Sequence, residues 1–261
     1  MRKSFVMVAA KRSGTTALRD ALNACPDIEM YGEAYFPSLF DWGFYHHYAA
    51  AVQANPKAIL PAGRVEAYRA HFASLREAHP DRVVGMDIKY SDVGSNPDLI
   101  RALSDTVDVA LHLRRENVLR SIVSHRIMEA RLRNKLITED KIHSSEVSPP
   151  IQVTLDPDDL IDGIRGRTQQ MERFRRDISQ RFQFVVEISY EGLFVEAGAV
   201  TIVAEQQKHD ILGALGVTWN GDLVSALKKQ TSRDLRTVIA NYDAVAKRLE
   251  GSKFASMLND D

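Results

Sequence analysis

The stretch from Val6 to Phe36 constrains this chain more than any other. Phe5 to Ala10 is short, apolar and rich in valine, which suits a buried parallel strand. Lys11-Arg12-Ser13-Gly14-Thr15-Thr16 follows at once, and Ala17 to Ala24 reads as helix, with Leu18 and Leu22 one turn apart. Pro26 ends that helix, because proline has no amide hydrogen to donate and disfavours helix at the residue before it. A second short strand then runs into Tyr31-Gly32-Glu33-Ala34-Tyr35-Phe36. A strand, a turn of small residues and a helix start together make an anion trap. The first amides of the helix lack partners within it, and its dipole adds partial positive charge there.

The turn departs from the triphosphate pattern G-x-x-x-x-G-K-[ST], in which lysine directly follows the second glycine. Here Thr15 follows Gly14, Ala9 stands at the first-glycine position, and the basic pair Lys11-Arg12 lies in front. One phosphate-sized anion still fits, with two hydroxyls (Thr15, Thr16) and a fork-shaped guanidinium at its edge.

A second strand–basic turn–helix unit lies mid-chain. Val107 to Leu113 is an apolar strand, Arg114-Arg115-Glu116-Asn117 the turn, and Asn117 to Arg133 a helix. Leu119, Ile122, Val123, Ile127 and Ala130 mark that helix's buried face, with Arg120, His125 and Arg131 outward. Between the two units, Val65 to Ala78 reads as helix and Arg82 to Tyr90 as a strand with Asp87 and Lys89 on one face. Asp98 to Leu103 is a short helix. Leu160 to Ile178 reads as an amphipathic helix capped by Asp156 or Asp158, and Phe182 to Tyr190 as a further strand. Ala199 to Leu215 reads as helix closed by Gly216, and a final helix starts at Ser232.

Strands alternating with helices imply an α/β chain, one domain over 1–261 with a central parallel β-sheet flanked by helices. Segments 35–80 and 134–157 are candidate acceptor-side or lid elements. The first holds Tyr35, Phe36, Phe40, Trp42, Phe44, Tyr45 and Tyr48, readable as an acceptor wall or as core. His46-His47 lacks a carboxylate partner at metal-binding spacing. A formal net charge of −1 argues against a dedicated nucleic-acid binder. No apolar run approaches the roughly 20 residues that span a bilayer. The charged, then apolar start mimics a signal peptide but runs straight into the loop, so it reads as the first strand. The single cysteine, Cys25, excludes an intrachain disulfide, and a cytoplasmic location is expected.

Arg12 to Thr16, Cys25-Pro26, Gly32-Glu33, the run LHLRRENVLRSIVSHRIMEA and Tyr190-Glu191-Gly192-Leu193 together resemble the sulfotransferases that use 3′-phosphoadenosine 5′-phosphosulfate (PAPS), in particular their bacterial carbohydrate and small-molecule branch. The resemblance implies a P-loop NTPase-like sulfotransferase fold. By it, Lys11, Arg12, Ser13, Gly14, Thr15 and Thr16 hold the 5′-phosphosulfate. Arg115 and Ser124 hold the 3′-phosphate, with Arg114 and Ser121 as the alternative register. Tyr190 lies beside the adenine, and Lys229 in the basic loop Lys228-Lys229-Gln230 closes the nucleotide site. It also implies Glu33 as the base, with His112 and His125 as outside candidates, and Arg12 and Lys89 steadying charge on the transferred group. The acceptor would be a hydroxyl of a carbohydrate, glycolipid or small metabolite, the product 3′-phosphoadenosine 5′-phosphate, and no metal is needed. A homodimer stays open. The alternatives are a P-loop kinase, which calls for a lysine after Gly14 and a magnesium-binding aspartate, and a nucleotide-binding protein without chemistry.

Overall fold

The chain folds around a five-stranded parallel sheet, seen in a computed structural model that describes residues 2–35, 41–136, 151–197, 200–227, 232 and 234–259. Its strands are β1 (Ser4–Ala9), β2 (Ile28–Glu33), β3 (Val83–Lys89), β4 (Val109–Arg114) and β5 (Val185–Ser189), in the order β2-β3-β1-β4-β5. Every pairing within it is parallel. The α/β architecture expected from alternating strands and helices is therefore present.

Because β1 lies centrally, both of its faces are covered, and this explains why its sequence is apolar without alternation. Val6 and Val8 pack with Val84, Met86 and Ile88 on one face, under α3 (Pro61–Glu77), α5 (Asp98–Ser104) and α7 (Pro157–Arg181). Phe5, Met7 and Ala9 pack on the other, with Leu18, Leu22, Ile211 and Leu212 of α1 (Thr15–Asn23) and α8 (Glu205–Leu215). Gly85 pairs with Phe5 in register, and a Cβ there would lie 2.2 Å from the Phe5 ring. Glycine at 85 is what lets that ring lie across the strand. A third apolar cluster joins α6 (Val118–Arg133) to α7, α9 (Tyr242–Glu250) and the chain's last turns.

The chain leaves β1 toward one edge of the sheet and leaves β3 toward the other. The carboxyl ends of these adjacent strands are the usual place for a ligand in an open α/β sheet. Ala9 and Lys89 are register partners at that rim.

Several sequence expectations are corrected. The span read as helix from Ala199 holds a strand, β7 (Val200–Val203), before α8 begins. With β6 (Phe194–Ala197) and β8 (Val224–Ser225) it forms a small antiparallel sheet, favoured by the β-branched run Val200-Thr201-Ile202-Val203. The helix expected from Ser232 starts only at Tyr242, since Val238 and Ala240 bond to Val153 through their backbones. Tyr90–Ser95 forms a short helix, α4, that periodicity did not show. The cap at Asp156 is present, its carboxylate accepting from the amide of Asp158 at 2.9 Å, and Gly216 closes α8 at φ 70°. The aromatic segment is largely core: Tyr35 and Phe44 are buried against Tyr68 and His71, and Phe44 starts α2 (Phe44–Ala54). Phe36 and Phe40 lie outside the described residues, as do 137–150 of the second candidate segment.

Candidate functional site

The loop between β1 and α1 has positive φ at two positions, Arg12 at 67° and Gly14 at 86°. Backbone of alternating handedness is the geometry of anion-binding nests. Gly14 is required twice over. Its φ favours glycine, and a Cβ there would lie 2.5 Å from Cε2 of Tyr190. Gly14 provides no side-chain cap for α1, and no acidic residue stands in that helix's first turn. The start of α6 is closed by contrast. Asn117 caps the amide of Arg120, and the Glu191 carboxylate accepts from the amides of Glu116 and Asn117 at 3.2 and 2.9 Å. Of the two strand–turn–helix units, the second has a carboxylate on the amides at its turn and the first has no acidic residue in its helix's first turn.

Residues from distant parts of the chain converge on this loop. Arg115 donates to the carbonyl of Arg12 at 3.3 Å, and its guanidinium lies 4.5 Å from the centre of the Tyr190 ring. Ser121 donates to the carbonyl of Lys11 at 3.4 Å, and Arg12 Nε donates to Ser124 Oγ at 3.1 Å. Arg12 Nη1 also reaches the Met128 sulfur at 4.0 Å. Arg115, Ser124 and Tyr190 thus all meet the loop, and so does Ser121 of the alternative register. Arg114 does not. It ends β4 on the opposite face, bound to Glu187 at 2.8 Å, because neighbouring residues of a strand point to opposite sides.

The charge around Arg12 is mostly positive. Burial and then the nearby Arg115 hold its guanidinium below the ordinary value, Arg131 pushes the same way, and Glu33 and Tyr190 only partly oppose them. Arg120 and Arg131 were expected to face solvent, and both are buried. Ser121, Ser124, Met128 and Arg131 follow at spacings of 3, 4 and 3 along α6, which puts them on one stripe facing the loop. That spacing was visible in the sequence. Arginine in an amphipathic helix ordinarily lies at the surface, so the spacing alone does not mark Arg131 as buried.

Lys89 closes the other side. Its ammonium, 1 % exposed with the rest of the side chain, donates to Thr15 Oγ1 and Asp87 Oδ2, each at 2.5 Å, and lies 3.6 Å from Glu33 Oε1. The alternation that places Asp87 and Lys89 on one face holds. Glu33 ends β2 and is about one-third exposed, near enough to the loop to meet a bound group. The remaining histidine candidates are engaged elsewhere. His112 is fully buried between the Tyr90 hydroxyl at 2.6 Å and the Glu187 carboxylate at 3.1 Å, and His125 pairs with Glu129 at 3.2 Å. Lys228 and Lys229 lie outside the described residues. Among the described residues no group of three His, Cys, Asp or Glu side chains could hold a metal ion, and no helix is long and apolar enough to cross a membrane.

No family model matches this chain, and no curated protein matches it. Among solved structures, shikimate kinase from Acinetobacter baumannii in complex with shikimate is similar over 83% of this chain and 94% of its own, at 13% identity and a TM-score of 0.34. A likeness at that level transfers no residue's role.

Proposed function

We propose that the protein is a PAPS-dependent sulfotransferase, moving a sulfuryl group to a hydroxyl of a carbohydrate, glycolipid or small metabolite. The observation that carries this reading is the convergence of Arg115, Ser124 and Tyr190 on the Arg12–Gly14 loop, from two further stretches of chain. An Arg12 guanidinium depressed by burial and by the neighbouring Arg115 fits a ligand with more than one anionic group. In this reading the loop and Thr15–Thr16 hold the 5′-phosphosulfate, Arg115 and Ser124 the 3′-phosphate, and Tyr190 the adenine.

Bound there, PAPS supplies an activated sulfuryl group. Glu33 takes the proton from the acceptor hydroxyl as its oxygen bonds to sulfur. The bond from sulfur to the bridging oxygen breaks, and Lys89, Arg12 and the loop amides stabilise the charge left on that oxygen. Positioning supplies much of the remainder.

A P-loop kinase is the second reading, and Asp87, on the strand next to β1, is the observation in its favour. Calorimetric titration separates the two. The sulfotransferase reading expects tight binding of 3′-phosphoadenosine 5′-phosphate, independent of magnesium and weakened by replacing Arg115 or Ser124. Preference for magnesium-ATP with no response to the 3′-phosphate rejects it.

A further inference from the structure

The Lys89 ammonium has surroundings that ordinarily belong to a metal. In a triphosphate loop a hydroxyl at the helix start and a carboxylate from a neighbouring strand together hold Mg²⁺. Here Thr15, the first residue of α1, supplies a helix-start hydroxyl one residue ahead of that pattern's own, which would be Thr16, and the carboxylate is Asp87 of β3. Both direct an oxygen at one point, 2.5 Å away, and the atom at that point is Lys89 Nζ. Glu33 faces it from 3.6 Å, beyond hydrogen-bond distance and within ion-pair range. Asp87 is 99% hidden from solvent (1 % exposed), and its second oxygen, Oδ1, has no hydrogen-bond partner. That orphaned oxygen is coordinating capacity that one ammonium does not use.

Two carboxylates, Asp87 and Glu33, face the ammonium, and a third, Asp92, accepts from the Lys89 backbone amide at 2.8 Å. Burial, with help from Glu33 and Asp87, holds the Asp92 carboxyl above its usual range.

We propose that Thr15, Asp87 and Glu33 form a divalent-cation socket in which Lys89 Nζ stands as the resident cation, so that the chain carries within itself the charge that a P-loop enzyme draws from Mg²⁺. The ammonium has three hydrogens, two of them used by Thr15 and Asp87, and the third is available to Glu33 or to an oxygen of a bound anion. Because Thr15 Oγ1 accepts from Lys89, its own hydrogen is directed away from the ammonium. Removing the side chain beyond Cβ vacates a site whose oxygens need move only a few tenths of an ångström to reach the ~2.1 Å bonds of a small divalent ion.

The inference goes beyond the sulfotransferase reading, and its test does not depend on the donor. Mn²⁺ binding is measured by paramagnetic resonance, and melting is followed with Mn²⁺ or with chelator, for wild type, Lys89→Ala and the double variant Lys89→Ala with Asp87→Asn. Lys89→Ala is expected to bind one Mn²⁺ at least tenfold more tightly than wild type and to melt higher with the ion than with chelator. Wild type should show no such difference. The double variant, which loses the ammonium and the Asp87 charge together and keeps only Glu33 of the socket's carboxylates, should fold without metal and bind none. Equal Mn²⁺ binding by wild type and Lys89→Ala overturns the proposal. So does a Lys89→Ala chain that stays unfolded with Mn²⁺ while the double variant folds.

Discussion

The ring edge of Tyr190 fills the space where any side chain at position 14 would begin, with Cε2 only 2.5 Å from a Cβ built on Gly14. The loop and the end of β5 therefore fit together only while residue 14 is glycine. Gly14→Ala forces a left-handed backbone on alanine, at ~1–2 kcal/mol, and adds a collision that Tyr190 must relieve by moving. A loss of about 2 kcal/mol, or about 5 °C in melting temperature, is expected. Tyr190→Ala in the same chain should restore part of it, and no recovery would mean that the backbone alone sets the cost.

Arg115 binds the Arg12 carbonyl and also stacks over Tyr190. Lysine cannot do both, since it lacks the planar fork. Arg115→Lys and Arg115→Ala should each weaken 3′-phosphoadenosine 5′-phosphate binding by roughly tenfold or more, which corresponds to at least ~1.4 kcal/mol. ADP affinity should fall less. Equal losses for both nucleotides would indicate damage to the loop rather than loss of a 3′-phosphate contact.

Glu33→Gln keeps the shape of β2 and removes the proton acceptor. Turnover should fall about 10²- to 10⁴-fold while nucleotide affinity, read by calorimetry, stays within a factor of a few. Unchanged turnover would exclude Glu33 as the base.

On the opposite face of the sheet, Tyr90, His112, Glu187 and Arg114 form a continuous hydrogen-bonded and ion-paired chain. Burial alone would raise the Glu187 carboxyl, but the hydrogen bond and charge of His112, with Arg114, outweigh it and hold the carboxyl below its usual range. The sign follows from that depression: the stabilisation is complete above the unfolded carboxylate value and fades as pH falls through the lower folded one. Glu187→Gln should flatten the fall in stability on the acid side of pH 5, measured by urea unfolding at stepped pH. His112→Leu, which orphans the buried Tyr90 hydroxyl, should cost about 1–3 kcal/mol at neutral pH.

Much of the frame was legible in the chain itself. The apolar runs that became β1, β3 and β4 need no partner to be recognised, because a strand buried on both faces is apolar along most of its length, Asp87 and Lys89 of β3 and His112 of β4 being the exceptions. The loop was legible because Lys11 to Thr16, a run of basic, small and hydroxyl residues, stands directly between an apolar strand and a helix start. The β6–β7–β8 sheet was missed for the opposite reason. Its strands are two to four residues long and take their structure from each other, so neighbours along the chain gave little indication of it.

Within the site the division is finer. The sequence alone determined which residue types were available: two arginines in a row after β4, serines along α6, and an aspartate and a lysine on one face of β3. Only the tertiary structure decided that Arg115 and not Arg114 meets the loop, that Arg131 is buried, and that Thr15 shares Lys89 with Asp87. The physical reason is that propensity and periodicity are set by residues a few positions apart. A charge stays buried only when its partners arrive from elsewhere, and Thr15 and Lys89 are 74 residues apart in the chain.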